Sequence, residues 1–71
     1  MAETVECVAS ALYPGDPLAF TWQAKRRQVR RVLARWRTPH GRAFRIQTAE
    51  DQPFALFYDE DTCQWRIVPL A

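Results

Sequence analysis

A chain of 71 residues allows one domain, 1–71, and one this short buries only about 60% of the surface it exposes when unfolded. Its hydrophobic fraction of 48%, with three Trp, four Phe and two Tyr, excludes a disordered chain and calls for a core of large side chains. The formal net charge of +2 conceals a strong asymmetry. Between Pro17 and Ala49 there is no acid, and the bases are Lys25, Arg26, Arg27, Arg30, Arg31, Arg35, Arg37, Arg42 and Arg45; the eight acids and Arg66 all lie outside that stretch.

The first ten residues, MAETVECVAS, contain acids and no apolar run, so they do not read as a signal peptide. Nothing approaches 18 consecutive apolar residues, so no membrane span is expected. Cys7 and Cys63 are the only cysteines, too few for the bridged framework of a small secreted fold. The expectation is a cytoplasmic protein with free thiols, although the two would come within reach if the first and last strands paired.

Short runs rich in Val, Ile, Phe, Trp, Tyr and Thr follow one another, each of strand length: TVECVAS, LAFTWQ, AFRIQT, FALFYD and CQWRIVPL. Between them stand turn signals: YPGDP at 13–17, TPHG at 38–41, AEDQP at 49–53 and DEDT at 59–62. Alternation places Phe20 with Trp22, Phe44 with Ile46, Phe54 with Leu56 and Tyr58, and Trp65 with Ile67, opposed by Thr21, Gln23, Arg45, Gln47 and Arg66. Period two is the mark of a half-buried strand. The predicted fold is all-β: a single small antiparallel sheet of five to six strands curled into an SH3-like or OB-like open barrel.

The tract KRRQVRRVLARWR, 25–37, admits two readings. Val29, Val32, Leu33 and Trp36 fall at i, i+3, i+4 and i+7, as in an amphipathic helix, which would make the fold α+β with residues 24–36 helical. Against this, Lys25, Arg26 and Arg27 would crowd the positive end of the helix dipole. Arg26–Arg30, Arg27–Arg31 and Arg31–Arg35 would be like-charge neighbours, and no capping box precedes the run. The strand reading requires a bulge near Arg30–Arg31 to reset the phase. It turns the chain at QAKR, points Val29, Val32, Ala34 and Trp36 inward, and sets Arg26, one or both of Arg30 and Arg31, Arg35 and Arg37 in an outward row with Leu33.

The order Phe20-x-Trp22, Val29, Val32-Leu33, Trp36-Arg37, Phe44-Arg45-Ile46, Phe54-x-Leu56-x-Tyr58, Trp65-x-Ile67 resembles a small uncharacterised bacterial all-β domain family with the pattern FTW...RR.V..VL..W. Its members occur alone and appended to the C-terminal end of proteins resembling Y-family DNA polymerases. The resemblance runs from about residue 13 onward and rests on a mainly hydrophobic motif, which specifies a fold better than a function. Two positions depart from it: Ala24 stands where a turn Gly is common, and Arg27–Gln28 lack an aromatic. The resemblance implies a role accessory to DNA metabolism and supplies no catalytic residue.

Catalytic and metal chemistry have no footing in the sequence. His40 is the only histidine and sits in a Pro-Gly turn; Ser10 is the sole serine; Asp59, Glu60 and Asp61 form a solvated turn without a calcium-loop pattern. With two glycines, Gly15 and Gly41, there is no phosphate-cradling loop. The expectation is a binding module with no cofactor and no metal. One form binds single- or double-stranded nucleic acid through Lys25, Arg26, Arg27, Arg30, Arg31, Arg35 and Arg37, with Trp22 and Trp36 as stacking platforms. The other is a protein-interaction or structural module, in which acidic segments 50–61 neutralise the basic hairpin and an exposed strand edge adds a partner.

Overall fold

The computed structural model describes residues 4–7 and 15–70. The distal part of the first expected strand (8–10) and the first residues of the expected 13–17 turn lie outside the described residues. Six strands follow in chain order: β1 Val5–Cys7, β2 Pro17–Trp22, β3 Lys25–Thr38, β4 Gly41–Thr48, β5 Pro53–Asp59 and β6 Gln64–Pro69. Each pairs antiparallel with the next, giving one sheet of order β1-β2-β3-β4-β5-β6. The fold is all-β, a sheet curled into a half-barrel, with no helix among the described residues. The helical alternative for 24–36 is thereby overturned: the basic tract is one 14-residue strand, in which successive arginines diverge to opposite sides instead of stacking at i,i+4.

The predicted alternation holds through the core. Phe20, Phe44, Ile46, Phe54, Leu56 and Ile67 form one buried cluster, with Val5, Trp22, Val29, Val32 and Trp65 packed against it. The curl brings β2 over β5, where Phe20 and Phe54 meet edge to face at 5.0 Å and Trp22 reaches the same ring at 5.8 Å. Thr48, the one buried polar residue among the described residues, is satisfied: its Oγ1 accepts from Gln52 N at 3.1 Å.

The long strand β3 is irregular in two places. Val29 pairs with Thr48 and Arg31 with Gln47, so Arg30 is the extra residue of a first bulge; Val32 pairs with Ile46 and Ala34 with Arg45, so Leu33 is the extra residue of a second. The first agrees with the bulge expected near Arg30–Arg31. The second corrects the facing beyond it. Ala34 and Trp36 pair with Arg45 and Ala43 on the side away from the core, whereas Arg35 and Arg37 pair with Phe44 and Arg42 on the core side, at its open rim. Each extra residue shifts the phase of a period-two pattern by one, so two bulges cancel.

The β2–β3 turn is the two-residue loop Gln23–Ala24, both left-handed at φ 52° and 63°, the backbone of a type I′ hairpin turn. The tight turn therefore survives without glycine. A side chain in this conformation costs roughly 1–2 kcal/mol, offset in part by the greater freedom glycine has when unfolded. Q23N/A24G is expected to stabilise the domain by about 1 kcal/mol, a rise in Tm of about 4–8 °C measured by thermal denaturation.

Candidate nucleic-acid interface

The arginines of β3 divide according to what the register places beside them. Arg26 donates from Nε and Nη2 to both carboxylate oxygens of Glu6, at 2.7 and 3.1 Å. Arg35 does the same to Asp16, at 2.8 and 2.6 Å. Arg30 Nη1 meets Asp51 Oδ1 at 2.6 Å. Each of these guanidinium groups holds its carboxylate on the exposed surface. The donated hydrogen bonds lower the pKa of Glu6 and of Asp16 below the ordinary carboxylate values. Exposed pairs of this kind add little stability and are screened by salt, but they cancel positive charge locally. Only Asp51 comes from the acidic segments 50–61; Glu6 and Asp16 come from β1 and the approach to β2.

Arg27 is drawn inward. Its guanidinium carbon lies 5.8 Å from the centre of the Phe54 ring, and Nη1 donates to Gln52 Oε1 at 3.0 Å. Trp22 likewise belongs to the core wall. Neither Trp22 nor Arg27 is placed as a free contact residue.

Lys25, Arg31 and Arg37 are exposed and have no carboxylate partner among the described residues, and the same is true of Arg45 and Arg66. Three of these five share the convex face of the sheet. Cross-strand pairing writes two rows on that face: Trp36–Ala43–Phe57–Arg66, and beside it Ala34–Arg45–Ala55–Val68. Arg31, opposite Gln47, stands diagonal to Arg45. Ala43 is small enough for Trp36 and Phe57 to meet across it, edge to face, centroids 6.2 Å apart and planes at 86°, and Ala43 itself is completely buried. Trp36 nevertheless keeps 42% of its surface exposed, and Leu33, in the second bulge, keeps 48%. Beside Phe57 runs an open groove of about 390 Å³, whose lining includes Thr38, His40, Asp59, Gln64 and Arg66. Asp59 Oδ1 is committed to the β5–β6 turn, accepting from Asp61 N at 2.8 Å and Thr62 N at 3.2 Å.

Of the residues expected in a binding surface, the structure therefore unites Arg31 and Trp36 on one face. It ties Arg26, Arg30 and Arg35 to acids, packs the half-buried Trp22 and Arg27 against the Phe54 ring, and leaves Lys25 at the hairpin tip and Arg37 at the concave rim. Arg45, Phe57 and Arg66 join the face although none belonged to the expected set. Their outward phase was legible for both arginines; their common location was set by pairing across four strands.

Cys7 and Cys63 are free thiols. Burial, with a contribution from Asp16, pushes the Cys7 thiol up to about 11, so it carries little reactive thiolate at neutral pH. No group of three His, Cys, Asp or Glu side chains among the described residues could hold a metal ion, and no helix there is long and apolar enough to cross a membrane. The chain matches no known family model, no curated protein and no solved structure.

Proposed function

We propose that the domain is a non-enzymatic, cytoplasmic nucleic-acid-binding module, accessory to DNA metabolism. The observation that supports this is the exposed indole of Trp36 set among arginines that no carboxylate neutralises within the described residues. A polyanion supplies the missing counter-charge, and its binding releases condensed ions. The ion pairs of Arg26, Arg30 and Arg35 move the expected contact surface away from the hairpin as a whole. The strength then rests on about three phosphate contacts, which predicts an affinity for a single-stranded oligonucleotide that falls on the order of tenfold between 50 and 200 mM salt. Fluorescence anisotropy across a salt series measures this, and absence of binding at 50 mM salt overturns the proposal.

One observation favours a second reading, a protein-interaction module. The meander does not close, so β6 pairs only with β5 and offers a free edge among the described residues, to which a partner strand could add. Sedimentation that depends on protein concentration, without oligonucleotide binding, decides for that reading.

A further inference from the structure

We infer that the nucleic acid is single-stranded and lies across the convex face, its unpaired bases stacking on Trp36 and entering the groove beside Phe57 while its phosphates follow Arg66, Arg45 and Arg31. This rests on the nucleic-acid reading above and specifies the ligand and the side of the sheet. Four observations carry it.

The first is the exposed indole. Its edge-to-face contact with Phe57 over Ala43 fixes a platform before any ligand arrives, so little ordering is needed on binding. An aromatic platform has something to stack on only where a base is unpaired, since a duplex offers base edges and phosphates instead of base faces.

The second is the cation spacing. Arg31 and Arg45 are diagonal neighbours, about 7 Å apart at their origins. Arg45 and Arg66 are two strands and one step apart, about 12 Å. Long side chains over these intervals accompany a backbone crossing the strands obliquely.

The third is the groove. At about 390 Å³ it lies in the range of small-ligand sites. Phe57 supplies an apolar wall, Arg66 a cation, and Thr38 and Gln64 polar groups that can meet a base edge.

The fourth is the direction of the field. Acidic turns bound the face at both ends of the strands, Asp59 and Asp61 at one, and Glu50 and Asp51, the latter paired with Arg30, at the other, whereas Arg66, Arg45 and Arg31 lie between them. A polyanion is thereby directed across the strands, between the two acidic turns and over the arginines.

The test uses the whole chain with a fluorescein-labelled 15-nucleotide oligo-dT and a labelled 15-base-pair duplex, at 50 mM salt. The oligo-dT is expected to bind at least about tenfold more tightly than the duplex. Trp36→Ala is expected to weaken oligo-dT binding by about fivefold or more, and Trp36→Phe, which keeps a ring, by less. R45E/R66E, at two exposed positions, tests the same face should Trp36→Ala melt early, and is expected to abolish binding. Arg26→Ala, at a neutralised position, is expected to leave it within twofold. Tighter binding of the duplex, or salt-dependent binding that ignores both the Trp36 and the R45E/R66E changes in folded protein, overturns this inference while leaving the nucleic-acid reading in place. Binding of neither probe by the unaltered protein overturns both.

Discussion

Phe54→Ala is expected to cost about 3–5 kcal/mol, in a domain whose whole stability is of order 4–10 kcal/mol. Phe54 is completely buried and joins the two parts of the curled sheet. Phe20 and Trp22 of β2 both meet its ring, the Arg27 guanidinium lies over it, and Ile46 pairs with it from β4. Truncation removes the ring and leaves a cavity that strands hydrogen-bonded on both sides cannot collapse to fill. The measurement is a denaturant or thermal melt, in which Tm should fall by at least about 15 °C. Phe54→Leu, which keeps most of the volume, should cost roughly half as much or less. A loss below about 1 kcal/mol for Phe54→Ala would mean that β2 does not close over β5. Because Phe54 is on the concave side, whatever fraction of Phe54→Ala remains folded should still bind oligo-dT normally, which separates the core from the surface experimentally.

The same residue shows why the fold was largely legible in the sequence. Alternation names the residues that share a face, and wherever a large aromatic or aliphatic set alternates with Thr, Gln or Arg, only one face can be buried. That argument places Phe20 and Trp22, Phe44 and Ile46, Phe54 and Leu56, and Trp65 and Ile67 on their proper side without coordinates. In β3 it succeeds only halfway. Ala34 and Trp36 do share a face, opposed by Arg35 and Arg37, but which face depends on the count of bulges before them. The first bulge announces itself, because Val29 and Val32 cannot otherwise both point inward. The second is silent: Leu33 follows Val32, and either apolar residue could serve as the last inward one.

The electrostatics of the site were less legible, for a different reason. The partners of Arg26, Arg35 and Arg30 lie 20, 19 and 21 residues away in sequence. Two of those acids precede the acid-free stretch and one follows it, so no local pattern couples them to particular arginines. Charge segregation along the chain therefore coexists with pairing across strands in half of the expected arginine set. The convex face emerges by subtraction. Once Glu6, Asp16 and Asp51 have taken their arginines, the cations left on that side are Arg66 and Arg45 beside the Trp36–Phe57 pair and Arg31 one row farther along the strands. Composition alone assigned the positive charge to the hairpin; register moves its effective centre to the middle of the sheet.

Gly41→Ala is expected to destabilise the domain by about 3 kcal/mol, out of proportion to one methyl group. Gly41 opens β4, pairs with Thr38 on one side and Asp59 on the other, and is buried. Its φ is not left-handed, so the need for glycine is spatial: a Cβ here would overlap the carbonyl oxygen of Tyr58 and crowd the amide of Glu60. Both obstacles are backbone and cannot rotate aside as a side chain would. Relief requires separating β4 from β5 at the point where Glu60 N donates to His40 O at 2.8 Å and where the Thr38 hydroxyl accepts from the His40 and Gly41 amides at 3.2 and 3.0 Å. Overpacking that forces side chains and backbone to shift costs about 1–3 kcal/mol, occasionally more, and an overlap with two backbone groups at once belongs at the top of that range. The same strands form the turn end of the groove beside Phe57, so Gly41→Ala should also weaken oligo-dT binding in protein that remains folded, unlike Phe54→Ala. Parallel melts and anisotropy titrations of the two variants test the pair of statements. Equal binding loss in both would mean that the affinity follows overall stability instead of the shape of the convex face.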